Sequence, residues 1–189
     1  SMAFFFTPFP KVDYDIKKNG KLEVVTNIML RFKLVEHLKT NRANYYDFTV
    51  QEGDRPDVVA SKLYDRPDLD WLLLMINDMI DPLYDWPLSS FMLEEYIREK
   101  YGSIPAAQST VHEYRKILNE SSVLFDGTVV PKRTLVVDET TYNTLSEPDR
   151  ELVNKYQYEI EENDAKRNIK IVDPRQLDRL LSNLSLIHI

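Results

Sequence analysis

The segment that most constrains the fold of this chain runs from residue 44 to residue 86, because it holds a strand pattern followed closely by two helix patterns. Its first residues alternate with the period of two that is typical of a half-buried strand. Tyr46, Phe48 and Val50 share one side of that strand. We therefore expect the segment to begin with a strand that lies with one face against a core.

Two helices are predicted after this strand, each introduced by a polar corner. Residues 51–54 (Gln-Glu-Gly-Asp) form the first corner, and Asp54 and Pro56 favour an N-cap and a first helical turn. Residues 65–68 (Asp-Arg-Pro-Asp) form the second corner. Residues 71–76 are apolar on nearly all sides of a helix, so we expect the second helix to be largely buried.

The end of the segment predicts a return to extended structure. Asn77 and Asp78 are expected to end the second helix, and residues 80–83 (Ile-Asp-Pro-Leu) lead into a short extended segment. The whole segment is therefore interpreted as strand, helix, helix, strand.

This order of motifs resembles a LysM-type domain, and it is similar to the LysM-like baseplate wedge subunit of T-even-type contractile phage tails. The resemblance extends over about residues 40–185 and is strongest in residues 44–90. It rests on Tyr-x-Phe-Thr-Val-Gln-Glu-Gly-Asp at 46–54, Trp-Leu-Leu-Leu-Met-Ile-Asn-Asp at 71–78, Asp-Pro-Leu-Tyr-Asp-Trp at 81–86, Tyr-Glu-Ile-Glu-Glu-Asn at 158–163 and Lys-Ile-Val-Asp-Pro at 170–174.

The expected fold class is α+β, with three regions along the chain. Residues 1–43 form an N-terminal arm, a hairpin and a short helix. Residues 44–102 form the LysM-like βααβ domain with an extra helix. Residues 103–189 form a C-terminal β-rich region that ends in a helix.

Local patterns in the flanking regions predict particular boundaries. Asn19-Gly20 and Asp126-Gly127 each predict a hairpin turn, and Gly102 predicts the end of a helix. The small and polar residues 103–110 predict a linker or loop. Residues 152–160 fit either a strand or a helix.

The resemblance implies a structural baseplate wedge protein, an adaptor that binds neighbouring wedge subunits and helps to join wedges into the baseplate ring. The implied partners are other baseplate wedge proteins and adjacent wedges. The implied location is the tail baseplate of the virion, after assembly in the host cytoplasm. The alternative is a peptidoglycan- or chitin-binding LysM module, which is disfavoured because the corner at residues 65–68 and the strongly apolar second helix depart from a typical LysM domain.

Composition disfavours several other classes of function. The net charge of −7 disfavours binding to nucleic acid. The 4 glycines are too scattered to form a phosphate-binding loop, and no run of residues approaches the length of a membrane span. The chain has no cysteine, and His37, His112 and His188 lack the spacing of a helical metal motif. We therefore expect no enzymatic activity, no cofactor, and no metal or membrane binding.

Candidate partner-binding residues lie at the N-terminus and after the second predicted helix. The N-terminal aromatic residues either pack on the core of the chain or bury in a partner, since exposed phenylalanines are costly in water. Trp86 fits core packing and partner contact about equally. The candidates are Phe4, Phe5, Phe6, Phe9, Asn77, Asp78, Tyr84 and Trp86.

Overall fold

The computed structural model describes residues 11–14, 23–26, 35–36, 38–40 and 44–186. In chain order the labelled elements are β1 (Lys11–Tyr14), β2 (Glu23–Thr26), β3 (Tyr45–Thr49), α1 (Pro56–Tyr64), α2 (Asp70–Ile76), α3 (Ser90–Tyr101), α4 (Ile104–Ser109), β4 (Val111–Asn119), β5 (Ser122–Val123), β6 (Val129–Val130), β7 (Arg133–Val137), α5 (Glu139–Thr144), β8 (Arg150–Asn154), α6 (Lys155–Ala165), β9 (Asn168–Val172) and α7 (Pro174–Leu186). Short 3-10 helices at Pro67–Leu69 and Glu147–Asp149 complete the described fold, which mixes α and β structure.

The chain folds into two compact units, and one is inserted into the sequence of the other. The discontinuous unit contains the described residues up to Ser89 and those from Ala165 onward, and the inserted unit contains Ser90–Asp164. These limits differ from the three consecutive regions expected from sequence. Helix α3 belongs to the inserted unit, whereas β9 and α7 belong to the discontinuous unit.

The strands of the discontinuous unit form two antiparallel pairs. Strand β1 pairs with β2, which confirms the hairpin predicted around Asn19-Gly20, although the turn itself lies outside the described residues. Strand β3 pairs with β9, from Tyr45 opposite Val172 to Thr49 opposite Asn168. The expectation that residues 80–83 lead into a second, short extended segment is therefore wrong: residues 82–85 form a turn, and the partner of β3 follows the inserted unit.

The core of the discontinuous unit forms around α2. Its side chains are buried almost all round, as the apolar run predicted. Helix α1 contributes Val59 and Ala60, and the end of the chain contributes side chains from β9 and α7. The buried residues are Val35, Leu38, Val50, Val59, Ala60, Leu69, Trp71, Leu72, Leu73, Leu74, Ile76, Trp86, Ile169, Ile171, Val172 and Leu177.

Helix α1 starts without the side-chain cap that was expected from Asp54. Arg55 occupies the N-cap position and its side chain makes no capping hydrogen bond. The carboxylate of Asp54 instead accepts a hydrogen bond from Lys62 Nζ at 2.7 Å. Pro56 lies at the start of the helix, as predicted, where the missing N–H costs nothing.

Two side chains close the outer edge of β9, the edge that faces away from β3. The Tyr64 hydroxyl donates to Val172 O and accepts from Val172 N, both at 3.0 Å. Asn77 Nδ2 donates to Lys170 O at 2.8 Å, while Asn77 Oδ1 accepts from Lys170 N at 2.7 Å. An unpaired strand edge is a template for pairing with another chain, and these contacts remove that possibility here.

The inserted unit is built on a three-stranded antiparallel sheet in the order β7-β4-β8. Helices α3 and α6 are joined by the buried carboxylate of Glu159, which accepts from Tyr101 Oη at 2.6 Å and from Lys100 Nζ at 2.5 Å. Gly102 follows α3 with φ +87, which confirms the predicted helix end.

Residues 103–110 are not a linker. They contain α4, in which the Ser103 hydroxyl accepts a hydrogen bond from Ala106 N at 3.1 Å and Pro105 lies in the first turn. Ser at the N-cap followed by proline in the first turn is a helix-start signal, and the small residues around it masked that signal. The ambiguous residues 152–160 divide between β8 and α6.

Candidate interaction surface

The candidate surface is a turn at residues 80–85, and it begins with the way α2 ends. Met79 N donates to Leu74 O at 2.8 Å, and Asp78 N donates to Met75 O at 3.2 Å. These are the two hydrogen bonds of a Schellman motif, and they require a left-handed residue, here Asp78 with φ +56. The chain therefore reverses sharply after the helix.

Two carboxylates hold the turn in one conformation. Asp85 Oδ2 accepts from Ile80 N at 2.8 Å and from Asp81 N at 2.9 Å. Asp81 Oδ1 accepts from Leu83 N at 2.9 Å, and the carbonyl of Asp81 accepts from Tyr84 N and Asp85 N. Aspartate side chains commonly stabilise turns by accepting from nearby backbone N–H groups. With these contacts most of the backbone N–H groups in the turn have partners.

The same turn displays three apolar or aromatic side chains. Ile80 is 82% exposed, and Leu83 and Tyr84 are each 63% exposed. The backbone beneath them is tied down, because Lys166 Nζ donates to Tyr84 O at 2.6 Å. We refer to residues 80–85 as the exposed turn. It combines a rigid backbone with side chains that gain stability only when another surface covers them.

Trp86 follows the exposed turn but faces inward. It is 4% exposed, and its Nε1 donates to Asp54 O at 2.7 Å. Trp86 is therefore a core residue, because its ring packs among buried side chains and its indole N–H has a hydrogen-bond acceptor there. Trp86 anchors the exposed turn to the discontinuous unit instead of contacting a partner itself.

The other candidates have different positions. Tyr84 lies on the surface, and Asp78 is exposed and forms an ion pair with Lys39. Asn77 is engaged with β9. Phe4, Phe5, Phe6 and Phe9 lie outside the described residues. Ile80 and Leu83 lie between the candidates Asp78 and Tyr84 but are not themselves among the candidates named from sequence, although two apolar residues beside an Asp-Pro pair are a recognisable signal of an exposed turn.

In the described part of the chain, no cluster of three His, Cys, Asp or Glu side chains is arranged to hold a metal ion. None of the described helices has the length and apolar character needed to cross a membrane. His112 stacks on the ring of Tyr158, with 3.6 Å between the ring centres.

Comparisons with known proteins identify the family. The family model described as Base plate wedge protein 53 matches residues 3–121, which is more than half of the chain. The chain is also 24% identical, over 193 aligned residues, to Baseplate wedge protein gp53 of Enterobacteria phage T4; this alignment covers 95% of the chain and 92% of that relative. The chain therefore belongs to the Base plate wedge protein 53 family and is a structural component of the phage tail baseplate.

Proposed function

We propose that this protein is an adaptor within the baseplate wedge, which binds neighbouring wedge subunits through the exposed turn and helps to join wedges into a ring. The observation that carries this proposal is the fixed display of Ile80, Leu83 and Tyr84 on a backbone held by two carboxylates. A surface that is already rigid loses little conformational entropy when it binds. Tyrosine is also enriched among the residues that dominate binding energy at interfaces.

We further propose that the scaffold beneath the turn is a LysM-like βααβ unit made of β3, α1, α2 and β9. Two helices between two antiparallel strands support this assignment. In this interpretation the inserted unit interrupts the βααβ order between the second helix and the second strand. The scaffold would hold the exposed turn at a constant position, and the inserted unit would remain available for other contacts.

The N-terminal aromatic residues remain part of the proposal on the evidence of the sequence alone. Phe4, Phe5, Phe6 and Phe9 form an apolar segment interrupted by prolines, which favours extended structure. We propose that these residues bind a neighbouring wedge subunit.

The test of the exposed turn is an incorporation experiment. The chain is co-expressed with the other wedge proteins of the same phage, and its amount in purified wedges is measured. For Leu83→Ser combined with Tyr84→Ser we expect a loss of about tenfold, because a few aromatic and apolar residues carry most of the binding energy at an interface. The melting temperature should stay unchanged, since both side chains are mainly exposed.

Phe91→Ser provides a matched control. Phe91 is 70% exposed on α3, so the substitution removes an exposed aromatic side chain from a different place. Normal incorporation of the double variant would contradict the proposal, as would an equal loss for the control.

Exposed Tyr84 also suits the alternative of glycan binding, because tyrosine rings present both an apolar face and a polar tip. Calorimetric titration with chitin and peptidoglycan oligomers separates the two functions. We expect no saturable heat. A saturable signal that disappears in Tyr84→Ser would replace the purely structural proposal with a glycan-binding one.

A further inference from the structure

A second apolar element projects from the inserted unit, at the end of the ribbon formed by β4 and β7. Beyond the pairing of Asn119 with Arg133, the ribbon continues as β5 and β6, with Ser122 opposite Val130 and Val123 opposite Val129. We call residues 121–130 the apical hairpin. It is separate from the exposed turn, which belongs to the discontinuous unit.

Backbone and side-chain hydrogen bonds fix the apical hairpin at both ends. At the tip, Leu124 N donates to Thr128 O at 2.8 Å and Gly127 N donates to Leu124 O at 2.9 Å. Gly127 has φ +83, which completes a three-residue loop with a left-handed third position. At the base, Asn119 Nδ2 donates to the carbonyls of Glu120 and Pro131 at 3.1 and 3.0 Å. The hairpin therefore has a defined conformation in this protein before any partner binds.

The side chains of this hairpin have no role in the core. All residues from 121 to 129 are exposed, yet they include Val123, Leu124, Phe125 and Val129. Phe125 is 113% exposed, which is the full exposure of an isolated residue. A two-stranded hairpin without a covered face gains little stability from such side chains beyond the one cross-strand pair of Val123 and Val129. Their apolar character points to burial against something else.

We propose that the apical hairpin inserts into a concave apolar cleft on a neighbouring baseplate subunit. The shape follows from the pairing register. Val123 and Val129 are directly opposite each other and share one face, whereas Leu124 points to the other face and Phe125 lies at the tip. A flat partner would cover one face only, and so would a second copy stacked on the ribbon. A cleft covers both faces and the tip.

The charge of the hairpin favours a protein partner over a lipid surface. Asp126 is the only ionisable residue between 121 and 131, and its Oδ1 accepts from Thr128 N at 2.9 Å. Lys132 and Arg133 lie at the base of the hairpin and not at its tip, and Lys132 is paired with Glu151. Segments that insert into membrane surfaces usually place Lys or Arg beside the apolar residues, which attracts anionic lipid. A carboxylate at the tip does the reverse. The complementary cleft is therefore apolar, with a cationic or N–H donor group at its far end.

The hairpin carries a single aromatic side chain, which buries about 150–250 Å² when it is covered, and we propose that it supplements the contact made by the exposed turn. This inference rests on the adaptor function proposed above and gives it a second, independent attachment point.

The test places a photoreactive group at the tip. The chain carrying p-benzoylphenylalanine in place of Phe125 is co-expressed with the other wedge proteins of the phage and irradiated. We expect one dominant crosslink to another baseplate subunit. The same chain is irradiated separately with phosphatidylglycerol vesicles. The proposal is overturned by a crosslink only to a second copy of the chain, by a crosslink to the lipid, or by the absence of any crosslink.

Substitution provides the second measurement. Phe125→Ser should lower incorporation into wedges at least about fivefold, because tip residues that fill a pocket act as binding hot spots. Its melting temperature should match that of the unchanged chain. Phe91→Ser is the control, and an equal loss in that variant would attribute the effect to general surface apolarity and overturn the proposal.

The exposed-turn variant distinguishes this inference from the adaptor proposal itself. If Tyr84→Ser with Leu83→Ser loses incorporation and Phe125→Ser does not, the hairpin inference fails and the adaptor function stands. If only Phe125→Ser loses incorporation, the hairpin inference stands and the exposed turn is not the contact. If neither variant loses incorporation, both proposals fail.

Discussion

Single aspartates determine several turns of this protein, and they do so in positions where other residues are usual. Asp65 and Asp78 have φ +53 and +56 at the ends of α1 and α2. Glycine is the common residue at such positions because it has no Cβ to clash. Aspartate is tolerated in the left-handed region, but it remains strained relative to glycine.

Replacing Asp78 by glycine should stabilise the protein. Relief of the left-handed strain exceeds the loss of the ion pair with Lys39, which is largely exposed and contributes little. The expected gain is about 0.5 kcal/mol in the free energy of unfolding, measured by urea denaturation. Asp57→Gly, in the first turn of α1, is the opposite control and should destabilise by about 0.5 kcal/mol, because glycine is the poorer helix former and the substitution removes a carboxylate near the helix N-terminus. A loss of stability in Asp78→Gly would show that its carboxylate matters more than its backbone conformation.

Asp173 gives the protein a defined response to acid. Hydrogen bonds from Arg175 lower the pKa of this carboxyl below its ordinary value. A carboxyl whose pKa is lower in the folded state stabilises the fold above its unfolded pKa, and that contribution is lost as the pH falls through the folded pKa.

The Asp173→Asn variant should therefore melt at a lower temperature than the unchanged chain by an amount that is constant from pH 7 to about pH 5 and narrows below about pH 4. Melting curves at several pH values measure this difference. A difference that persists undiminished at about pH 2.5 would mean that the side chain acts through its shape and not through its charge.

Residue-scale patterns predicted burial better than exposure. The apolar run of α2 identified the core directly, because a helix that is apolar all round has no side suited to water. Trp86 was undecided, because its partner Asp54 O lies 32 residues away in sequence. Aspartate is common at N-cap positions, yet the carboxylate of Asp54 accepts a hydrogen bond from Lys62 in the folded chain.

At the scale of elements, the side-chain closure of β9 contributes to stability. The Tyr64 hydroxyl serves as both donor and acceptor for Val172, and burial raises its pKa to about 12, so it stays protonated at any physiological pH. These two hydrogen bonds satisfy the backbone N–H and carbonyl of Val172 as a neighbouring strand would, but a side chain provides them.

Tyr64→Phe should remove both of these hydrogen bonds while leaving the packing of the ring almost unchanged. We expect a loss of about 1–3 kcal/mol, since it leaves an N–H and a carbonyl of Val172 without a partner. Urea denaturation measures the loss, and amide exchange at Val172 should become faster. Tyr84→Phe is the control, because that hydroxyl is on the surface. An unchanged stability in Tyr64→Phe would indicate that water replaces the hydroxyl.

Elements with local signals were predicted, and elements defined by distant contacts were not. Helix α3 follows from its position before the stop signal at Gly102. The pairing of β3 with β9 was not predicted. Strand β9 is recognisable as a strand, but the inserted unit separates it from β3 in the sequence. Residues 80–83 were expected to lead into an extended segment, because the hydrogen bonds that the Asp81 and Asp85 carboxylates make to the turn cannot be recognised from the sequence.

At the scale of the whole molecule, both tryptophans lie in the discontinuous unit, and both are buried. Tryptophan fluorescence therefore reports on that unit alone. This provides a direct test of whether the end of the chain is required for its core.

A chain that ends after Asp164 should lose the fluorescence of buried tryptophan. It lacks the core residues Ile169, Ile171 and Val172 of β9 and Leu177 of α7, and removing several buried side chains exceeds the stability of a typical domain. A chain lacking only residues 187–189 serves as the control. Emission from buried tryptophan in the shorter chain would mean that the rest of the unit folds without β9.

The pairing of β3 with β9 has a consequence for the order in which the protein is made. Thr49 and its partner Asn168 are 119 residues apart in sequence. A ribosome adds about 5–20 residues each second, so several seconds separate the synthesis of the two strands, and the whole inserted unit is synthesised during that interval. The scaffold beneath the exposed turn closes last. A nascent or interrupted chain therefore lacks a finished scaffold beneath this turn, so the surface that we propose as the contact forms only in a chain that has been synthesised through β9.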